Sequence, residues 1–338
     1  MESILVLMHV EPDGTLGKPA LEALTAARAF KQFLAGSTLA SGLVGADAGG
    51  AARQIGSCGA ERFLAVAGEA YGVPRYATDA AAAEALVRAS GATLVVAAST
   101  SRWARCLAGV AQRLDGRIDT HITGAAVSGG KPVVSRWYYR QRMEAVLQRT
   151  HRPWFLLTDV GCHEPWKGEA ADVEVQSVQA GTASRTRFAE YRAPQAGEQT
   201  IRPDAELLFV AGAGWTKKQA DGKVHHEEAA DLILNFVRKT QSSLGSSKSL
   251  VDLSGEGQAV LPFLSHLNQV GQTGSTPRHP KGLATCCHGE EPHVVGWRFI
   301  HERRAINLDA NCGWAQGKAD VLYVADAFEV MRRLNEKL

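Results

Sequence analysis

The sequence predicts an α/β protein of two domains built on parallel sheets, and three observations predict it. Apolar runs of strand length without polar alternation recur at 4–9, 62–66 and 93–98, as strands buried on both faces of a parallel sheet do. Helical stretches of about ten or more residues lie between them, and that alternation builds a doubly wound sheet. The chain is 338 residues long, more than one core usually holds, and a polar stretch at 180–201 with Pro194 and Gly197 breaks the apolar pattern.

After the strand at 4–9, Pro12-Asp13-Gly14 is a turn. Leu21, Leu24, Ala27, Phe30, Phe33 and Leu34 then fall at helical spacing within 19–35, and Gly36 stops the helix. A short strand at 39–44, a small-residue helix at 51–59 and a strand at 62–66 follow. A helix at 79–90 ends on Gly91, and the strand at 93–98 leads into a helix at 102–114. From Asp119 the pattern changes to strand-like stretches at 120–127, 132–139 and 154–158, the first two separated by Gly129-Gly130. Trp137-Tyr138-Tyr139 reads either as an aromatic ligand platform or as half-buried strand surface. His163-Glu164 beside Cys162 lacks a third ligand at metal-site spacing.

The predicted division is a first domain at 1–193, a linker at 194–202 and a second domain at 203–338. The second opens with a strand at 206–211, then Gly212-Ala213-Gly214-Trp215 and a charged loop at 217–223. A helix at 227–243 presents Ala230, Ile233, Leu234 and Val237 on one face, and 259–267 is apolar and helix-like.

The net charge is +2, with both signs mixed along the chain, so no basic stripe points to nucleic acid. No apolar run approaches the ~18 residues of a membrane span, so membrane insertion is not expected. The first residues, Met1-Glu2-Ser3-Ile4-Leu5-Val6, are already strand-like and carry an acid, unlike a signal or transit peptide. Six cysteines, at 58, 106, 162, 286, 287 and 312, show no Cys-x-x-Cys spacing. A reduced, cytoplasmic setting is expected, with the adjacent Cys286 and Cys287 as small apolar residues of a turn rather than a redox pair.

The chemistry is expected around Val270-Gly271-Gln272-Thr273-Gly274. Such a turn leaves backbone N–H groups and two short polar side chains for a ligand rich in oxygens and ring nitrogens. With Gly212 to Gly214 and Gly245-Ser246-Ser247-Lys248 it makes three glycine-bounded loops after strands, where open sheets bind ligands. Downstream stand His293-Val294-Val295-Gly296, Ala305-Ile306-Asn307-Leu308-Asp309 and Ala325-Asp326.

In this order the series resembles the flavin-binding domain of the electron transfer flavoprotein alpha subunit family. That family carries the same Val-Gly-Gln-Thr-Gly turn, a preceding Gly-Ala-Ser-Arg, and a following Ala-Ile-Asn-x-Asp. The resemblance is strong after about Glu206 and looser before it. It implies a flavodoxin/Rossmann-like FAD-binding domain at 203–338, behind a nucleotide-hydrolase-like first domain that binds no nucleotide. It places FAD on Ser247, Lys248, Val270, Gly271, Gln272, Thr273 and Gly274, on the loop of His288, Gly289, Glu290, Glu291, Pro292 and His293, and on Asn307 and Asp326. Thr273 is implied near flavin N5, Gln272 along the ring, His293 at the C2 carbonyl, and Asn307 and Asp326 on the adenosine side. It also implies a heterodimer with a beta subunit that carries AMP. A flavin-dependent dehydrogenase would be the electron donor and a membrane quinone oxidoreductase the acceptor. The chain would be an electron carrier with no catalytic residues for a substrate of its own.

The sequence departs from the family at three places. The family's Gly-Arg-Gly is here Gly212-Ala213-Gly214, and its Arg after the Ser is Lys248, which keeps the charge and loses the planar fork. Its Gly-Ile-Ser-Gly-Ala-Ile-Gln-His is Cys286-Cys287-His288-Gly289-Glu290-Glu291-Pro292-His293, which puts two carboxylates in the loop expected to face the pyrophosphate. The alternative expectation is therefore a divergent family member with weakened or lost FAD binding that serves as a binding or assembly subunit. A hydrolase finds neither a catalytic triad nor a Walker-type loop here.

Overall fold

A computed structural model of the chain describes residues 1–138, 143–191, 201–202, 205–252, 261–271, 277–285, 300–312, 315 and 319–338. The chain forms two compact units, Met1–Tyr191 and Arg192–Leu338. Most of the linker expected at 194–202 falls outside the described residues.

The first unit runs β1 (Ser3–His9), α1 (Lys18–Phe33), β2 (Thr38–Gly45), α2 (Gly49–Gln54), β3 (Arg62–Ala67), α3 (Glu69–Gly72), α4 (Tyr76–Ser90), β4 (Leu94–Ala98) and α5 (Ser101–Arg113). It continues with β5 (Arg117–Ser128), β6 (Lys131–Tyr138), β7 (Met143–Leu147), β8 (Trp154–Thr158) and β9 (Val175–Ser177). The strands form one sheet in the order β7-β6-β5-β8-β4-β1-β2-β3-β9. From β5 to β9 the pairs are parallel, with Leu5, Val6 and Leu7 fully buried between two helix layers. The continuous apolar runs in the sequence come from that two-sided burial.

The antiparallel segment begins at a bulge. Strand β5 pairs parallel with β8 through Asp119, shifts register before Ile122, and then runs antiparallel to β6. His121 takes a left-handed φ of +57° there, and bulges re-aim a strand in this way. Asp119, 3% exposed, ties the segment to the core: Arg149 donates to it at 2.8 Å and Trp154 Nε1 at 2.8 Å. Burial pushes its carboxyl up, but the hydrogen bonds from Arg149 and Trp154 and the charges of Arg149 and Arg136 outweigh this and hold it below the usual range.

The second unit runs β10 (Leu207–Ala211), a 3₁₀ turn at Ala213–Thr216, α6 (His226–Thr240), β11 (Ser243–Ser246) and α7 (Lys248–Asp252). It then runs through β12 (Lys281–Thr285), β13 (Glu302–Asn307) and β14 (Val321–Val324) to α8 (Ala327–Lys337). Its sheet is parallel in the order β11-β10-β12-β13-β14. Numbered within the unit this is 2-1-3-4-5, the doubly wound order of flavodoxin-like folds, with its switch point between β10 and β12.

The structure corrects several expected elements. The helix expected at 51–59 stops at Gln54, and the one expected at 227–243 stops at Thr240, where Gln241 turns into the left-handed region (φ 52°) without a glycine to announce it. Residues 243–246 are a strand, so Gly245 lies inside β11 and not in a loop. The stretch 261–265 is a turn rather than helix, because Pro262 removes a donor and Ser265 caps a separate short turn at His266–Asn268. Strands β7 and β9 and helices α3 and α7 were not expected from the sequence. They are short, and β7 and β9, with no buried residue of their own, are strands by pairing with β6 and β3.

Candidate functional site

In a doubly wound sheet the ligand crevice lies beyond the carboxyl ends of the strands. In the second unit those ends carry Ser247 after β11, Gly212 after β10, Asn307 closing β13 and Asp326 just after β14. Strands β11 and β14 are four steps apart, which at ~4.8 Å per step spans ~19 Å. That span is comparable to the length of a dinucleotide laid across the strand ends.

The β11 end is built by close packing. Ser247 N–H donates to Ala211 O at 2.8 Å, and Val270 N–H donates to Ser246 O at 3.0 Å. The turn expected at Val270 and the loop at Ser247 therefore do meet. Gly245 makes this possible, since a Cβ there would stand 2.6 Å from Val270 Cγ2, and Val270 is fully buried. Gly271 has φ +80°, which only glycine adopts without strain. Ser247 is fully buried and its Oγ accepts from Leu250 N–H at 3.1 Å, starting α7. Lys248 pairs with Asp252 at 3.2 Å along the same helix, so its ammonium is engaged by its own turn. Gln272, Thr273, Gly274, His288, Gly289, Glu290, Glu291, Pro292 and His293, with Tyr139, Cys286 and Cys287, lie outside the described residues.

The β13–β14 end is a cavity of about 360 Å³, within the range of small-molecule sites and enough for one end of a dinucleotide. Both expected adenosine-side residues line it, Asn307 and Asp326. Asn307 Oδ1 accepts from Asp309 N–H at 3.2 Å and so shapes its own turn. Asp326 caps α8, with one oxygen, Oδ1, accepting from Phe328 N–H at 2.7 Å and Glu329 N–H at 3.1 Å. Its second oxygen is left to accept from a ligand hydroxyl. Lys217, Lys218 and Gln219 line the same cavity. In the sequence this stretch is a plain charged loop. Its one signal was position, directly after the glycine turn that follows the first strand of the unit. A carboxylate, an asparagine and two lysines lining one cavity suit a nucleoside phosphate, the chemistry of the adenosine end of FAD.

The loop between β10 and the lysines is anchored by Trp215. This side chain is fully buried, donates from Nε1 to Thr285 Oγ1 at 2.8 Å and packs on Phe328 with ring centroids 4.6 Å apart.

The first unit closes its equivalent crevice. Its switch point lies between β1 and β4, and there His9, at the end of β1, stacks on Trp103 of α5 with centroids 3.6 Å apart. Asp79, fully buried, accepts from Arg102 at 2.8 and 3.0 Å and from Arg105 at 3.1 Å. Burial drives the His9 pKa well below 6.5, helped by the charges of Arg102 and Arg105. His9 is therefore neutral, and its 3.8 Å approach to Asp79 is neither an ion pair nor a hydrogen bond.

The first unit also carries the family signature. Residues 4–183 match the model of the electron transfer flavoprotein domain. The match covers more than half of the chain, and the chain belongs to this flavin-associated family. No curated protein matches it. Among the described residues no helix is long and apolar enough to cross a membrane.

Proposed function

We propose that the chain is the alpha-type, FAD-carrying subunit of a heterodimeric electron transfer flavoprotein. It takes electrons from a flavin-dependent dehydrogenase and passes them to a quinone-linked membrane oxidoreductase. The partner is a beta subunit, which holds AMP. The observation that carries this reading is the position of Ser247, Asn307 and Asp326 at the carboxyl ends of β11, β13 and β14. Two of them line a cavity whose polar groups suit adenosine.

When bound, FAD supplies the electron-carrying ring. The chain's own residues hold and orient it. Asp326 and Asn307 fix the adenosine side, the turn at Val270 and Gly271 presents its backbone, and Trp215 keeps the β10 loop in place.

A second reading is that FAD binding is weakened and the chain serves assembly. It is favoured by Lys248, whose charge is engaged by Asp252, and by Ala213 in place of the family's Arg. An absorbance spectrum of the chain co-expressed with its beta partner separates the two. A yellow complex that bleaches on reduction by a dehydrogenase supports the electron carrier. A complex that stays colourless after FAD is added rejects it.

A further inference from the structure

Two cations of the second unit's cavity have no assigned role. Lys217 and Lys218 are exposed, line the cavity, and have no ion-pair partner among the described residues. We propose that they bind the phosphate groups of the adenine-nucleotide end of the cofactor, replacing the cation that Ala213 does not supply. The inference rests on the FAD reading and adds to it residues that the family pattern does not mark.

The charge layout of the cavity carries the argument. The positive end of a helix is the usual seat for a phosphate, but α8 already holds an anion there, because Asp326 Oδ1 takes the Phe328 and Glu329 N–H groups. A phosphate at that wall would face a carboxylate. The same carboxylate suits ribose hydroxyls, which donate to it. The phosphates therefore belong with Lys217 and Lys218, the cationic residues among those that line the cavity.

That stretch is held in place. Lys217 N–H donates to Gly214 O at 3.2 Å. The Gln219 side-chain amide donates to Gly214 O at 3.1 Å and to Lys217 O at 2.7 Å. Gln219 N–H donates to Lys223 O at 2.8 Å. With Trp215 anchored in the core, the backbone under both lysines is fixed while their side chains remain able to reach a ligand. Lysine binds phosphate as a point charge and needs no fixed fork geometry. Ala213, 1% exposed, lies in the core and leaves the cationic work to the residues that follow it.

The test is calorimetric titration of the full chain with ADP and with adenosine at low and high salt, using the native chain, Lys217→Met, Lys218→Met, the double Met variant and the double Arg variant. Both lysines are exposed, so the variants should melt with the native chain. The expected result is that the double Met variant loses about tenfold or more in ADP affinity, the scale of lost charge-assisted contacts. Adenosine binding should be unchanged, and the double Arg variant should restore ADP binding. The salt dependence of ADP binding should fall with the lysines.

Equal ADP affinity in the native chain and the double Met variant overturns the lysine assignment, and if FAD displaces the ADP, the FAD reading stands without it. Lysine-dependent ADP binding that FAD does not displace overturns the assignment to the cofactor together with the FAD reading. A native chain that binds neither ADP nor FAD, alone or with its beta partner, overturns both.

Discussion

The two units share the doubly wound plan and treat its ligand crevice in opposite ways. In the first, the carboxyl ends of β1 and β4 are filled by His9 stacked on Trp103 and by a buried Asp79 held between Arg102 and Arg105. In the second, the ends of β13 and β14 open into a cavity lined by Asn307, Asp326, Lys217 and Lys218. Fold therefore sets where a ligand would sit, and side chains decide whether one can. Charges of both signs pair with each other in the first crevice, and both signs line the cavity of the second.

The largest test of this contrast removes the charge that closes the first crevice. Asp79→Ala leaves Arg102, 13% exposed, without its carboxylate. It is expected to destabilise the chain by about 3–5 kcal/mol, the cost of orphaning a buried charge. Asp326→Ala, in the open crevice, removes a helix cap and is expected to cost only about 1 kcal/mol. Denaturant melts of the two variants make the comparison, and equal losses would erase it.

Gly245→Ala tests how the open crevice is built. Its Cβ would stand 2.6 Å from Val270 Cγ2, within a fully buried contact. The expected loss is about 1–3 kcal/mol, as for other overpacked sites, with the turn at Gly271 displaced. A melting temperature equal to that of the native chain would mean that Val270 moves aside freely.

A third prediction uses pH to read the closed crevice. The folded pKa of His9 lies below its ordinary value of 6.5, so the unfolded chain binds the proton first. The stability from neutral His9 is present above pH 6.5 and is lost as pH falls below it, by about 1.4 kcal/mol per pH unit while the folded His9 stays neutral. His9→Phe keeps a ring on Trp103 and should remove that part of the slope. Melts at pH 5 and pH 7 check it, and an unchanged slope would assign the acid sensitivity to other groups.

The smallest effect is expected at Lys248. Its pair with Asp252 is 3.2 Å long, with side chains 43% and 38% exposed. Lys248→Met should therefore change stability by less than about 0.5 kcal/mol. A larger loss would show that the ammonium does more than decorate α7.

The sequence by itself determined the layered plan. The apolar runs of β1, β4, β8 and β10 are legible because strands buried on both faces leave no polar alternation. The ends of α1 and α4 were marked by Gly36 and Gly91. Asn307 and Asp326 are candidate site residues through a resemblance alone, and both line one cavity.

What only the tertiary structure decided depends on partners distant in the chain. Strand β11 was hidden because Ser243–Ser246 is polar and short, and it becomes a strand by pairing with β10. Strand β9 exists only through its parallel pairing with β3. The stack of His9 on Trp103 has no local signature in either segment. The place of Lys217 and Lys218 was equally invisible, since a charged loop reads as solvated until the fold sets it in the lining of a cavity with Asp326. Periodicity records which face of an element is buried, but not which groups the fold brings face to face.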